Sequence, residues 1–145
     1  AARPRAPHAR RPPKRRTDLG APMTKPTETL RAAATKLREM AEAATPGPWK
    51  AEYSGEQGDC VLPPDAQSTR EAVAVTRLYA SHADALLIAT LGPTFAVLVA
   101  DWLDDTATGE DWLDAQLAPG LMPYVPRPPD WTPLALARHV IGEAS

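Results

Sequence analysis

The chain has 145 residues, 43% of them hydrophobic, and its single cysteine is Cys60. One cysteine excludes an internal disulfide and a zinc site built on cysteines, and it favours a half-buried thiol in a reducing, cytoplasmic compartment. The net charge of −2 conceals a division, because residues 1–22 carry seven Arg or Lys and one acid, whereas the other residues carry nine basic and 17 acidic side chains.

Residues 1–22 form an Arg/Pro-rich arm that we predict to be disordered, since it has few apolar side chains and its prolines at 4, 7, 12 and 13 block helices. One interpretation is a nucleic-acid-binding arm that contacts phosphates. The interpretation we favour is that the arm is not native, because Met23 opens a stretch, MTKPTETL, typical of a protein start. The nucleic-acid-binding candidates are Arg10, Arg11, Lys14, Arg15 and Arg16.

Residues 23–145 are predicted to form one globular α+β domain, with four to five helices packed on a two- to three-stranded antiparallel sheet. The first helix carries apolar residues at spacings of three and four from Leu30 to Ala44. Thr24 or Thr27 is the expected cap, with Pro26 in the first turn. The segment TPGPW, 45–49, must end this helix, and its tryptophan is expected to fold back onto the helix's apolar stripe.

Three short strands are predicted next, at 49–53, 60–62 and 72–79. In the first strand, alternation places Trp49, Ala51 and Tyr53 on one face. No helix separates the first two strands, which favours antiparallel pairing. The turn between them is the polar segment SGEQGD, 54–59.

The remaining chain is predicted to be mostly helical. One helix runs from Ser81, its expected cap, to about Leu91, and Gly92-Pro93 separates it from the next. That second helix carries five bulky side chains on one face: Phe95, Leu98, Val99, Trp102 and Leu103. Gly109 is expected to interrupt it before another short helix. A proline-rich loop, 119–133, then leads to a final helix capped by Thr132-Pro133.

An acidic cluster surrounds the related segments DWLDD and DWLDA. Such carboxylates could hold Mg²⁺ or Ca²⁺ in a metal-dependent hydrolase, but the spacing is not that of a calcium loop. We favour a solvated acidic face beside buried Trp102 and Trp112, with no metal. The metal candidates are Asp101, Asp104, Asp105, Asp111 and Asp114, and Glu110 completes the cluster.

The other chemical motifs also have structural interpretations. Ser81, His82 and Asp84 contain the residue types of a hydrolase triad, but near neighbours on one helix cannot meet as a triad does, so a capping serine is the preferred interpretation. Cys60 with His82 or His139 is a further thiol-nucleophile alternative, which we reject. No glycine-rich phosphate loop is present. We therefore predict no catalytic residues and no cofactor.

The segment PYVPRPP, 123–129, resembles a polyproline ligand but is also typical of a rigid connector. Beside it, Tyr124, Arg127 and Trp131 form the partner-binding surface that we predict, because these residue types recur as interface anchors.

Two stretches resemble known proteins. TPGPW, 45–49, and the later DALLIATLGP, 84–93, are similar to segments of the phage Ea22-like family and of small actinobacterial and phage proteins. The matching positions are Thr45 to Trp49, Asp84-Ala85, Ile88-Ala89 and Pro93, and the ending LALARHVIGEAS resembles that group's C-terminal helix. The resemblance implies a phage or accessory context and supports Met23 as the start, but the group has no established activity to transfer.

These observations lead to one main functional hypothesis and two alternatives. The main hypothesis is a non-enzymatic accessory protein that binds another protein in the cytoplasm. The alternatives are a nucleic-acid-binding protein acting through residues 1–22 and a metal-dependent hydrolase using the acidic cluster.

Overall fold

A computed structural model describes residues 24–77, 79–117, 127–128 and 130–143. The order of elements is α1 (Pro26–Ala43), β1 (Lys50–Ser54), β2 (Gly58–Leu62), a short 3-10 helix (Thr69–Glu71), β3 (Ala74–Thr76), α2 (Ser81–Thr90), α3 (Pro93–Gln116) and α4 (Thr132–Ile141). The α+β prediction of helices beside a small antiparallel sheet is therefore confirmed.

Pro26 lies in the first turn of helix α1 as predicted, but the cap is not a threonine. Lys25 occupies the N-cap position, and its backbone N–H donates to the Glu28 carboxylate at 3.3 Å. Thr27, a predicted cap, is instead buried within the first turn. The predicted apolar stripe is confirmed at its start, where Leu30, Ala33 and Ala34 are completely buried, but Met40 farther along it is 57% exposed.

The sheet has three antiparallel strands in the order β1-β2-β3. Lys50 pairs with Leu62 at one end of β1, and Cys60 pairs with Val75 in β3. The central strand β2 is largely buried, and Cys60 is fully buried rather than half-buried as expected. On the edge strand β1, Tyr53 is 71% exposed, whereas Ala51, predicted to lie on the same face, is half-buried. An edge strand has a neighbour on one side only and covers less of its side chains.

The main core lies where α1, α3 and α4 meet, and alanine dominates it. Its completely buried members are Leu30, Ala33, Ala34, Ala100, Leu103, Ala107 and Ala137. Small side chains on facing helices let the backbones approach closely, because interhelical distance follows side-chain size. Helix α2 packs separately, against the three strands, and contributes buried Ala85.

Helix α3 is continuous through Gly109, so the predicted interruption is wrong. A single glycine in a helix interior costs only about 1 kcal/mol relative to alanine. Burial of Leu103 and Ala107 against the neighbouring helices stabilises the helix on the N-terminal side of Gly109. Packing therefore outweighs a local preference of that size.

The TPGPW segment contacts the junction between α2 and α3, where two glycines permit close approach. A Cβ on Gly47 would lie 2.8 Å from Thr94 Oγ1, and one on Gly92 would lie 3.0 Å from the Trp49 ring. The Trp49 indole N–H donates to the Thr45 carbonyl at 2.9 Å. Trp49 thus packs on the α2–α3 junction at Gly92, and its contact with the apolar stripe of α1 stays a prediction.

The Gly92-Pro93 boundary is confirmed, with Gly92 as N-cap of α3 and Pro93 in its first turn. The two other predicted caps are wrong. Ala80 is the N-cap of α2, so Ser81 is the first helical residue, and Trp131 is the N-cap of α4, so Thr132 is already helical.

Candidate functional site

The acidic cluster of α3 serves as a set of ion pairs to other elements. Arg38 of α1 binds Asp101 at 2.7 Å and Asp104 at 2.5 Å. Farther along α3, Asp111 binds Arg31 of α1 at 2.8 Å. These hydrogen bonds to Asp101 and then Asp104 raise the pKa of the Arg38 guanidinium. Arg31 and Arg38 of α1 therefore face α3.

The positions of the α3 carboxylates also test the hypothesis of a metal-dependent hydrolase. In the ranges that the structure describes, no group of three or more His, Cys, Asp or Glu side chains could hold a metal ion. Asp105 and Asp114 are nine residues apart on a continuous helix, which places them on opposite sides of it at roughly 100° per residue. The metal-dependent hydrolase hypothesis therefore has no converging carboxylates in this part of the chain.

Ser81 and His82 both contact a buried carboxylate that the sequence did not single out, Asp59 of β2. The Ser81 hydroxyl donates to Asp59 Oδ2, and His82 Nδ1 lies 3.2 Å from Asp59 Oδ1. The hydrogen bond from Ser81, followed by that from His82, holds the pKa of the Asp59 carboxyl below its usual range, although burial opposes them. The N-terminal end of α2 also favours a negative charge here.

This arrangement is not a catalytic triad. In a triad the histidine takes the serine proton and the acid orients the histidine. Here serine and histidine both bind the carboxylate, which joins β2 to the start of α2. Cys60 is adjacent to Asp59 on the strand, and its thiol is buried near Gln57 Oε1 at 3.8 Å. Because successive strand residues point to opposite faces, the thiol is turned away from His82.

The predicted partner-binding surface lies partly within the described residues. Tyr124 is outside them, as is the basic arm with Arg10, Arg11, Lys14, Arg15 and Arg16. Arg127 donates to both oxygens of Glu110, at 2.9 and 2.7 Å, and its guanidinium lies 5.1 Å from the centre of the Trp131 ring. Trp131 itself packs against the main core. Arg127 therefore binds α3 and Trp131 packs against the helices, and their role as interface anchors stays a prediction.

Another set of exposed apolar side chains lies on α3 and at the end of α2. We call Leu91, Phe95, Leu98 and Trp102 the outward stripe; they follow one another at spacings of four, three and four residues. Each is between 42% and 62% exposed. The core face of α3 holds Ala100, Leu103 and Ala107, so bulky residues lie outside and alanines inside. Contiguous exposed apolar surface on a protein marks an interaction site more often than scattered single residues do.

This distribution corrects two predictions for α3. Trp102 and Trp112 are 44% and 60% exposed, not buried beside the acidic face. Of the five side chains expected on one face, Leu103 is completely buried and Val99 is partly buried against the core. The sequence signal for the buried face of α3 was a second spacing pattern, formed by Ala100, Leu103 and Ala107. It was missed because alanine is a weak indicator of burial.

A shallow cleft of about 500 Å³ lies between the end of α1 and the start of α3. Its lining includes Arg38, Gly47, Pro93 and Thr94. Arg38 is already bound to two carboxylates, and the cleft brings no nucleophile together with a base. The cleft is therefore concave, but these lining side chains do not form a catalytic arrangement.

Comparison of the chain with protein-family models, with curated proteins and with solved structures gives no match. In the described part of the chain, no single helix has the length and apolarity needed to cross a membrane. Helices α2 and α3 together pass that test by length and composition, with a 50° bend between them.

Proposed function

We propose that this chain is a non-enzymatic accessory protein, of the phage or mobile-element type, that acts in the cytoplasm by binding another protein. The observation that carries the proposal is the outward stripe, a row of large apolar side chains that the fold leaves exposed. The core of α3 is complete without it, since Ala100, Leu103 and Ala107 already pack against α1 and α4. Protein interfaces are commonly centred on such apolar and aromatic anchors.

The phage or accessory context rests on the resemblance carried by Thr45 to Trp49 and by the 84–93 segment. The structure gives these motifs a shared physical role, because Trp49 packs on Gly92 at the α2–α3 junction. The proposal of a protein partner does not depend on that context.

Affinity capture from a lysate of the encoding organism tests the proposal. The bait is the full chain, compared with the double variant Leu98→Gln/Trp102→Gln and with Met40→Gln as a matched control. Met40 is 57% exposed on α1, so its substitution removes an equally accessible apolar side chain elsewhere. We expect a protein that wild type and Met40→Gln retain and that the double variant loses.

Circular dichroism should show that all three baits are folded. Capture of the same proteins by all three baits, or of none by any, would contradict binding through the outward stripe.

A further inference from the structure

Three further exposed residues continue the outward stripe toward the end of α3. Asp105, Gly109 and Trp112 follow Trp102 at spacings of three, four and three residues, which keeps them on the same side of the helix. A Cβ placed on Gly109 would meet nothing within 4 Å. Glycine is less stable than alanine in a helix interior, and the packing around position 109 does not require a glycine. What Gly109 provides is a shallow notch of exposed backbone between two exposed tryptophans.

Helices α2 and α3 carry acidic side chains but no lysine or arginine. Residues 78–126 contain no lysine or arginine, and α2 and α3 carry seven acids: Asp84, Asp101, Asp104, Asp105, Glu110, Asp111 and Asp114. Arginines from other elements bind four of these acids, namely Asp101, Asp104, Glu110 and Asp111. Asp105 differs in position, since it lies on the outward side between Trp102 and Trp112. The apolar surface is thus combined with an acidic group at the notch.

On the basis of the proposed function, we infer that the protein partner presents a cationic amphipathic helix to this side of α3. Its apolar residues would cover Leu98 and Trp102, in the helix-in-groove mode of recognition. A lysine or arginine opposite Asp105 would gain charge complementarity and contact with the flanking tryptophan rings. The notch at Gly109 would allow the partner's backbone to approach closely.

Charge complementarity favours a cationic helix over two other candidates for covering this surface, a second copy of the chain and an anionic membrane. A second copy of the chain would present the same surface, in which no cation is available to match Asp105. An anionic membrane would be repelled by the acids of α3. Both remain measurable outcomes of the test.

The test is selection of displayed random 20-residue peptides for binding to the full chain. We expect the selected peptides to be enriched in lysine and arginine, with apolar residues at spacings of three and four. Their affinity should fall at least about tenfold for Asp105→Lys, the range of one lost charge pair. Asp114→Lys is the matched control, since it makes the same charge change on the opposite side of α3 and should leave affinity unchanged.

Gly109→Ala separates binding from folding. We expect it to raise the unfolding midpoint while weakening the selected peptides by about tenfold, because the added methyl group closes the notch. Unchanged affinity in both Asp105→Lys and Gly109→Ala would overturn the inference, as would selected peptides that are neutral or acidic.

Two direct measurements address the other occupants. Sedimentation of the full chain as a dimer that the Leu98→Gln/Trp102→Gln change dissociates would overturn the inference in favour of self-association. Cosedimentation with phosphatidylglycerol vesicles that the same change abolishes would overturn it in favour of a membrane. If the lysate experiment yields a stripe-dependent partner but the library yields no cationic binders, the partner chemistry is wrong and the proposed function stands. If the lysate experiment itself fails, the proposed function is wrong.

Discussion

Asp59 of β2 is buried, and Ser81 and His82 at the start of α2 both contact its carboxylate. Its pKa is held low chiefly by the Ser81 hydrogen bond. The ionised carboxylate therefore stabilises the fold, since the folded state binds the proton more weakly than the unfolded state does. This stabilisation is present above the ordinary aspartate pKa of about 3.9 and is lost as the pH falls through the lower, folded-state pKa.

We expect Ser81→Ala to raise the pKa of Asp59, because it removes the larger of the two stabilising hydrogen bonds. The measurement is NMR titration of the Asp59 carboxyl carbon. His82→Ala is the comparison variant and should produce the smaller rise. A larger rise in His82→Ala would mean that the histidine, not the serine, controls the carboxylate.

Gly92 carries a second prediction at the residue scale. Its φ of −65° is open to any residue, so Gly92→Ala tests the packing at this position, chiefly against the Trp49 ring at 3.0 Å and also against the Ala89 carbonyl at 3.3 Å. We expect a loss of about 1–3 kcal/mol in the free energy of unfolding, the usual range for overpacking. Urea denaturation measures it, and Gly109→Ala, with open space at the same atom, should be stabilising by up to about 1 kcal/mol. Equal effects of the two substitutions would contradict the close packing at Gly92.

At the scale of elements, α3 has two apolar faces and buries the one with smaller side chains. Leu103 lies between Ala100 and Ala107 on the core face, whereas Leu98 lies among bulky residues on the outward stripe. The alanines of α1 opposite them, Ala33 and Ala34, are completely buried as well. Close approach of the two helices also brings Arg38 within reach of Asp101 and Asp104.

The same substitution on the two faces of α3 should have different effects. We expect Leu103→Ala to lower the free energy of unfolding by about 2–5 kcal/mol, since it leaves a cavity in the core. Leu98→Ala should change it by less than about 0.5 kcal/mol, as is usual for exposed positions. Thermal or urea unfolding of both variants is the measurement. Similar losses at both positions would mean that the outward stripe is buried in the isolated protein, for example by self-association.

Much of the element pattern was predictable because it depends on local chemistry. Pro93 after Gly92 has a backbone suited to the first turn of α3, and the prolines of TPGPW end α1. The caps were less predictable, since Ser81 has a suitable side chain for a cap but binds Asp59 instead. That contact spans 22 residues of sequence, and no spacing rule identifies it. The same limit applies to the contact between Trp49 and Gly92.

At the scale of the whole molecule, two packed regions are joined by two connections. Helices α1, α3 and α4 form the alanine-rich core, and α2 covers the sheet. The chain passes between these regions at TPGPW and again at the α2–α3 junction, and the two passages touch at Gly47 and Gly92. The contacts at Gly47 and Gly92 position α2 and α3 relative to each other. The outward stripe begins at the same junction.

The charge division along the chain supplies a whole-molecule prediction. If residues 1–22 bind nucleic acid, the full chain should bind duplex DNA with an affinity that falls steeply with salt. Deletion of residues 1–22 should abolish that binding, because the acidic surface of α3 has no cations of its own. Fluorescence anisotropy at several salt concentrations is the measurement. Equal binding by the truncated chain would contradict the arm as the site.

The sequence alone determined two boundaries, the end of α1 at TPGPW and the start of α3 at Gly92-Pro93, because proline and glycine act on neighbouring residues. It also determined the division of charge and the absence of a phosphate-binding motif. Only the tertiary structure decided which face of α3 is buried, because both faces are apolar and the choice depends on how closely α1 can approach. It likewise decided that Ser81 and His82 bind Asp59, since only folding brings β2 to the start of α2.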